Sequence, residues 1–190
     1  MCGIVAVTGY RKALPLLIDG LQKLEYRGYD SAGIAIGHNT VIQQVKQKGK
    51  VSDLEEYALN YEITGNIGIG HTRWATHGPP NQINAHPHKS SDGKLFLIHN
   101  GIIENYYALK KDLESKGHVF ESDTDTEVLI HLIEDVKKHE NVDLFEAVQI
   151  SLNQVVGAYA IVIIEEGNND ELIAARNGSP LVIGIGRGEY

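Results

Sequence analysis

The sequence contains one cysteine, one tryptophan and one methionine, and it has no long hydrophobic run. A single cysteine excludes an intrachain disulfide. No apolar stretch is long enough to cross a bilayer, and the apolar residues 3–7 are too few for the core of a secretory signal. We therefore expect a cytoplasmic protein without a membrane partner.

Positive charge is also scarce. Lys and Arg total 17 against 25 Asp and Glu, which gives a formal net charge of −8. Such a chain cannot neutralise a phosphate backbone, so we expect no nucleic-acid partner. A length of 190 residues fits one domain with its own core.

Short Val- and Ile-rich runs bounded by Gly, Asn or Asp predict strands, and they come in groups. Two helices in tandem, near residues 105–116 and 125–138, separate these groups. This order favours antiparallel sheets flanked by helices over a doubly wound parallel sheet. The predicted strands are 3–7, 32–36, 41–46, 67–72, 95–99, 158–165, 171–175 and 181–185. The sequence stops directly after the last of these, which we interpret as a domain of a longer protein.

Several helix ends carry sequence signals. Ser52 and Thr124 are each followed three residues later by Glu, the capping-box pattern that opens a helix. Asp143 predicts a further helix start, and Gly117 predicts the C-terminal end of the helix after residue 105.

The lone cysteine stands at position 2. A small residue after the initiator methionine permits removal of Met1, and Cys2 then carries both a thiol and a free α-amino group. An α-amine with a pKa of about 7.7–8.0 is partly neutral near physiological pH and can accept the thiol proton. Cys2 alone would more often be an inert core residue, so its position requires support from the rest of the chain.

Three downstream segments provide that support. An acyl-transfer site for a free amino acid needs a nucleophile, oxyanion donors, a cation for the α-carboxylate and an anion for the α-ammonium. Cys2, Asn100 with the Gly101 N–H, Arg73 and Asp125 can fill these roles, one each. Arg73 lies in the segment 71–78, Asn100 and Gly101 lie in 99–101, and Asp125 lies in 124–126.

The motifs together resemble the class II glutamine amidotransferases over essentially the whole chain. Within that class they are most similar to the subfamily that aminates fructose 6-phosphate, chiefly through the run 71–78. One departure is Ala6, where many members have glycine. The matching segments are 1–5, 26–35, 71–78, 84–88, 99–105 and 122–128.

The resemblance implies an α+β fold, the four-layer αββα sandwich of N-terminal-nucleophile enzymes. It implies that Cys2 attacks L-glutamine and that the Asn100 amide and the Gly101 N–H stabilise the oxyanion. It also implies four substrate-binding residues and two supporting ones. Arg73 and Asp125 bind the carboxylate and the ammonium, Thr76 and His77 line the pocket, Arg27 supports the nucleophile loop, and Trp74 gates ammonia passage.

The resemblance further implies a domain arrangement. Residues 2–190 form the glutaminase domain, and a covalently linked sugar-phosphate isomerase domain is absent from this chain. The full-length protein is expected to form a homo-oligomer. The isolated domain then hydrolyses glutamine to glutamate and ammonia and needs no cofactor.

Three alternatives stay open at this point. The five histidines between residues 71 and 99 could indicate a metal site, but their spacing is not that of usual zinc ligands, so we expect no metal. A glutamine-sensing module without catalysis would need Arg73 and Asp125 but not Cys2. A phosphoribosyl-transfer amidotransferase would share the glutaminase reaction and differ in its acceptor.

Overall fold

The structure, a computed structural model, describes residues 2–75 and 78–190. Within these ranges the strands are β1 (Gly3–Thr8), β2 (Ser31–His38), β3 (Val41–Lys48), β4 (Ile67–Arg73), β5 (His88–Lys89), β6 (Leu95–Ile103), β7 (Gly157–Glu165) and β8 (Ile173–Asn177). The helices are α1 (Ala13–Leu24), α2 (Val51–Asn60), α3 (Tyr106–Ser115), α4 (Asp125–Glu140) and α5 (Leu144–Leu152), with a 3-10 turn at Glu25–Arg27. None of the helices in these ranges combines the length and hydropathy needed to cross a membrane.

The strands form two four-stranded sheets. The first has the order β1-β4-β2-β3 and the second the order β5-β6-β7-β8. Every neighbouring pair of strands in both sheets is antiparallel. The prediction of antiparallel sheets is confirmed.

Three apolar layers hold the two sheets and the helices together. Leu17 of α1 and Leu54 of α2 pack on the outer face of the first sheet. Leu129 of α4 packs on the outer face of the second sheet. Ile69 of β4 and Ile98 of β6 meet between the sheets. The order helix, sheet, sheet, helix is the four-layer αββα sandwich, and that prediction is also confirmed.

Alternation along β4 decides which residues reach the site. Ile69 points to the other sheet, whereas its neighbour Gly68 faces α1. A Cβ at Gly68 would lie 2.9 Å from Leu17 Cδ1, so glycine lets the helix approach closely. Because side chains alternate with a period of two, His71 and Arg73 share the inter-sheet face with Ile69.

The same alternation applies to β6, and it corrects one prediction. β6 continues to Ile103, so Asn100 and Gly101 lie inside the strand and not in a loop after residue 99. Asn100 pairs with Ala160 of β7 in an unbroken register. Asn100 therefore shares the inter-sheet face with Ile98. The apolar run 95–98 predicts the start of this strand. Its end could not be predicted, because the polar residues His99 and Asn100 interrupt the apolar pattern.

The prediction of a strand at residues 181–185 is wrong. This segment has no strand assignment, and Val182 is 91% exposed. Apolar residues form a strand only where a partner edge is available. The edge of β1 pairs instead with the end of the chain, where Tyr190 N–H donates to the Thr8 carbonyl over 2.9 Å. The short strand β5 was not predicted, because two residues carry no alternation signal.

Most of the predicted helix ends are confirmed. The Thr124 hydroxyl accepts the Glu127 N–H at the start of α4, and the Asp143 carboxylate accepts the Glu146 N–H at the start of α5. Gly117 follows α3 with φ +94°, the left-handed conformation of a C-terminal glycine.

The capping box predicted at Ser52 is wrong. Helix α2 begins at Val51, so Ser52 lies within the helix. The Asp53 carboxylate accepts the Lys50 N–H over 3.1 Å and caps this end. Asp53 can do so because it occupies the third helical position, where a carboxylate reaches back to the cap.

Candidate active site

A cavity of about 410 Å³ opens where the ends of β1 and β4 meet the second sheet. Gly3 of β1 pairs with Thr72 of β4, which places Cys2 beside the end of β4. Seven of the predicted site residues line this cavity: Cys2, Arg27, Arg73, Trp74, Asn100, Gly101 and Asp125. The predicted residues Thr76 and His77 lie outside the described residues.

The Cys2 sulfur is held against the backbone that follows β4. Its Sγ accepts the Trp74 N–H over 3.2 Å and lies 3.5 Å from the Trp74 carbonyl oxygen. Burial raises the pKa of the Cys2 thiol, and the Trp74 N–H and the positive charge of Arg73 oppose this effect. The thiol is therefore the favoured form, and a nearby base is needed to generate the thiolate.

The Asn100 amide is oriented by a buried histidine across the two sheets. His71 Nε2 lies 2.8 Å from Asn100 Oδ1 and 3.1 Å from the His99 carbonyl oxygen. Both neighbours accept hydrogen bonds, so Nε2 carries the proton and donates it. The Asn100 amide then has its nitrogen directed to the cavity, where Nδ2 donates to the Cys2 carbonyl over 3.2 Å.

His71 performs this task as a neutral imidazole. The side chain has no solvent exposure, and burial lowers the pKa of His71 to about 3. Hydrogen bonds to Asn100 and His99 oppose the effect of burial but do not overcome it. A single tautomer is thereby fixed over the physiological pH range.

Gly101 brings the backbone close to the cavity. Its φ is +144°, and a Cβ here would lie 2.0 Å from the Ala158 carbonyl oxygen. A side chain at this position would collide with β7, so only glycine fits. The Gly101 backbone can therefore line the cavity next to Asn100.

Arg73 is almost fully buried, with 3% of its surface exposed. Its guanidinium donates to the carbonyl oxygens of Gly78 and Pro79 over 3.2 and 3.3 Å and lies 3.7 Å from Asp30 Oδ1. These contacts orient the guanidinium and hold the segment that starts at Gly78 close to β4. A planar, oriented guanidinium suits a carboxylate ligand.

Asp125 occupies the first turn of α4. Its Oδ2 accepts the Ile103 N–H over 2.9 Å, and only 5% of the residue is exposed. The positive end of the helix dipole stabilises the carboxylate at this position. The cavity is thus lined by an oriented cation and an oriented anion.

Trp74 lies at the mouth of the cavity with 53% of its surface exposed. Its ring packs over Gly28, where a Cβ would lie 2.6 Å from Trp74 Cζ3. Gly28 directly follows the 3-10 turn that contains Arg27. Arg27 and Trp74, which were predicted to support and to gate the site, therefore line the same cavity.

His86, His88 and His99 form hydrogen bonds to two hydroxyl groups that line the cavity. His86 and His99 both lie within 3.0 Å of Thr126 Oγ1, and His88 Nε2 lies 3.0 Å from Thr124 Oγ1. Burial lowers the pKa of His86 and of His88. His99 is therefore part of the hydrogen-bonded scaffold of the site.

Two groups that order the site were missed in the sequence. One is His71, whose partner depends on the alternation of β4 and β6. The other is Asp30, which accepts the Ala75 N–H and the Ser31 hydroxyl. Further cavity-lining residues that were not predicted are His86, Thr124, Thr126, Ser179 and Pro180. The sequence signal for His71 was its place two residues before Arg73 on one strand face.

The buried neutral state of His71 predicts a pH dependence of stability. The folded pKa of about 3 lies below the ordinary value of 6.5, so the unfolded chain binds the proton more readily. The contribution of neutral His71 to the free energy of unfolding is therefore fully present above pH 6.5 and is lost as the pH falls towards 3. The His71 contribution to this loss is about 1.4 kcal/mol per pH unit.

Urea unfolding of the wild type and of His71→Gln between these pH values measures the contribution. We expect the free energy of unfolding to fall less steeply with decreasing pH in the variant. The difference in slope should be at most about 1.4 kcal/mol per pH unit. Parallel curves for the two proteins would contradict a buried neutral His71.

Known proteins resemble this chain in sequence and in fold. A family model described as a glutamine amidotransferase domain matches residues 71–189. Glutamine–fructose-6-phosphate aminotransferase [isomerizing] of Bacteroides thetaiotaomicron is 59% identical over 191 residues, which cover 100% of this chain and 31% of that protein. A Thermus thermophilus protein of the same name is 53% identical over 189 residues, again 100% of this chain and 31% of the relative. The chain thus spans about a third of these relatives.

A solved structure shows the same fold. The glutamine phosphoribosylpyrophosphate amidotransferase from B. subtilis, complexed with ADP and GMP, superposes with a TM-score of 0.79 at 30% identity. The match covers 93% of this chain and 37% of that one. The family model, the relatives and the shared fold lead to one conclusion: the chain belongs to the glutamine amidotransferase domain family.

Proposed function

We propose that this chain hydrolyses L-glutamine to glutamate and ammonia through a thioester on Cys2. The observation that carries the proposal is a single cavity lined by the only cysteine, an oriented asparagine amide, a buried arginine and a buried aspartate. Each of these groups corresponds to one chemical requirement of an acyl transfer from a free amino acid.

The reaction begins at the sulfur of Cys2. Once Met1 is removed, the α-amine of Cys2 accepts the thiol proton, and the sulfur attacks the side-chain carbonyl carbon of glutamine. The charge that develops on the oxygen is stabilised by Asn100 Nδ2 and the Gly101 N–H. The C–N bond then breaks, the α-ammonium returns the proton to the leaving nitrogen, and ammonia departs. Water hydrolyses the thioester by the same sequence and releases glutamate.

Substrate binding depends on two fixed charges. Arg73 binds the α-carboxylate, Asp125 binds the α-ammonium, and Thr76 and His77 contribute to the same pocket. Both charged side chains are oriented by backbone contacts before the substrate arrives. This preorganisation reduces the entropic cost of binding.

The wider role rests on the relatives. Proteins named glutamine–fructose-6-phosphate aminotransferase are 53–59% identical to this chain, whereas the phosphoribosylpyrophosphate amidotransferase is 30% identical. The comparison favours fructose 6-phosphate as the acceptor over the phosphoribosyl alternative. We propose that residues 2–190 are the glutaminase domain of such an enzyme, a homo-oligomer in which a linked sugar-phosphate isomerase domain receives the ammonia. Trp74, at the cavity mouth, then controls its passage, supported by Arg27. The cytoplasmic location stays a prediction.

Replacement of the nucleophile is the first test. Cys2→Ala removes the sulfur, so we expect no glutamine turnover, while the half-buried position leaves the fold intact. Glutamate release measures the activity, and circular dichroism with thermal unfolding measures the fold. Turnover by a well-folded Cys2→Ala chain would rule out the mechanism.

The free amine is tested separately. A fusion that a protease cuts directly before Cys2 should be inactive before cleavage and active after it, because only then is the base exposed. A matched fusion that leaves one extra glycine before Cys2 should stay inactive after cleavage. Intact mass confirms each product, and equal activity of the two cleaved chains would contradict the role of the amine.

Loss of the oxyanion donor Asn100 should lower kcat more than loss of its positioning residue His71. Asn100→Ala removes one donor, and we expect kcat to fall about 100- to 1000-fold. His71→Gln keeps the donor but loosens its orientation, so kcat should fall less while KM for glutamine changes little. Steady-state kinetics separate the two constants. A rise in KM without a fall in kcat would instead indicate a binding role for Asn100.

The two charges should act on binding. Arg73→Lys and Asp125→Asn each leave one end of glutamine poorly paired, a cost of about 2 kcal/mol, or about 30-fold in KM, with a smaller effect on kcat. Asp19→Asn, which alters an exposed carboxylate paired with Lys23, serves as the control and should behave like the wild type. An unchanged KM in both site variants would show that glutamine binds elsewhere.

A further inference from the structure

A second group of ligand-type side chains lies outside the cavity that Cys2 lines. One donor atom from each of His118, His131 and Glu134 lies within 4.8 Å of the others. His131 and Glu134 are buried and lie one helical turn apart on α4, whereas His118 is half-buried and follows α3. No part of the proposed glutaminase mechanism uses these residues.

Both imidazoles are backed by a carboxylate. His118 Nε2 lies 3.4 Å from Asp135 Oδ1, and His131 Nε2 lies 3.5 Å from Glu127 Oε1. With Nε2 turned to these acids, both Nδ1 atoms face Ser91 Oγ, at 3.5 Å and 3.1 Å. A carboxylate hydrogen-bonded to the ring is the usual second contact of metal-binding histidines, since it fixes the tautomer and the ring orientation. His118 has this contact, whereas His131 Nε2 lies near its carboxylate without a hydrogen bond.

Glu134 supplies an oxygen in the same direction. Its Oε1 accepts from Lys138 Nζ over 2.6 Å and from the Asp92 N–H over 3.1 Å. Its Oε2 accepts the Ser91 N–H over 2.9 Å and lies 3.4 Å from His131 Nδ1. The second lone pair of Oε2 faces His131 Nδ1, so a metal ion bound to both atoms would replace their hydrogen bond.

The separations between these donors have the scale of a tetrahedral zinc centre. Bonds of about 2.0–2.2 Å place neighbouring donors about 3.3–3.6 Å apart. The distances from His131 Nδ1 to Glu134 Oε2 and from Ser91 Oγ to His118 Nδ1 are 3.4 and 3.5 Å. The three ligand atoms lie within 4.8 Å of one another, so His118 needs only a short movement towards the other two to reach the spacing of a zinc centre.

Charge and access also favour a cation. A cavity of about 520 Å³, lined in part by Ser91 and His131, connects the group to solvent. Acidic groups outnumber lysines around the group and its cavity, because five carboxylates face four ammonium groups. The carboxylates are those of Asp92, Glu121, Glu127, Glu134 and Asp135, and the lysines are Lys46, Lys89, Lys116 and Lys138.

We propose that His118 Nδ1, His131 Nδ1 and Glu134 Oε2 bind a structural Zn²⁺ ion, with Ser91 Oγ at the fourth corner. Two imidazoles and one carboxylate form a donor set that zinc commonly takes. The ion joins α4 to the turn before β6 and to the segment that leads into Asp125. This proposal revises the expectation of no metal, which was based on the histidines between residues 71 and 99.

Zinc binding can be measured without activity. The probe is Zn²⁺ added to the EDTA-treated full chain with the Cys2→Ala change, which removes the competing thiolate. We expect one equivalent bound in isothermal titration calorimetry and a higher thermal unfolding midpoint with zinc, because the ion binds the folded state. His118→Ala in the same background should weaken binding at least about tenfold and remove the thermal shift.

Two further variants make the test specific. Asp135→Asn keeps all the ligands and should weaken binding about 10- to 100-fold through His118. His139→Ala removes an exposed histidine of the same helix, 3.2 Å from Asp135, and should bind zinc like the background chain. No binding, or binding that His118→Ala leaves unchanged, would overturn the proposal. The cluster would then be a set of ion pairs between His131 and its two glutamates.

Discussion

The hydrogen bond between His71 and Asn100 joins the two sheets at the point where the chemistry is proposed. It requires β4 and β6 to face each other in one register, so that a neutral imidazole on one sheet meets an amide on the other. The apolar contacts of Ile69 and Ile98 set that register a few residues earlier. The same packing that stabilises the sandwich therefore orients the proposed oxyanion donor.

Burial has opposite effects on the groups of the site. It keeps His71 neutral and lowers its pKa to about 3, which suits a fixed hydrogen-bond donor. It raises the pKa of the Cys2 thiol, which makes a neighbouring base necessary. An amine on the nucleophilic residue itself meets that need without a second side chain. The two charged side chains are held in place by backbone contacts, Arg73 by carbonyl oxygens and Asp125 by the Ile103 N–H.

Much of the fold and of the site could be predicted from the sequence. Alternating or apolar runs identified β1, β2, β3, β4 and β7, and the cap residues Thr124 and Asp143 identified two helix starts. Cys2, Arg73, Asn100, Gly101 and Asp125 were placed in one site because each is a residue type with a distinct task, and the structure brings them to one cavity. Long-range partners were not visible, since no local pattern pairs His71 with Asn100 or Asp30 with Ala75. The prediction of a strand at 181–185 was wrong for the same reason, because the apolar content of a segment does not show whether a strand edge is free to pair with it.

The account depends on Cys2 being a nucleophile that faces a cavity in which glutamine binds. The most direct measurement is covalent labelling with an electrophilic glutamine analogue, followed by peptide mass spectrometry. The account predicts one adduct per chain, located on Cys2 of the processed protein and suppressed by excess L-glutamine. A chain that binds glutamine but takes up no label, or carries the label on another residue, would contradict it.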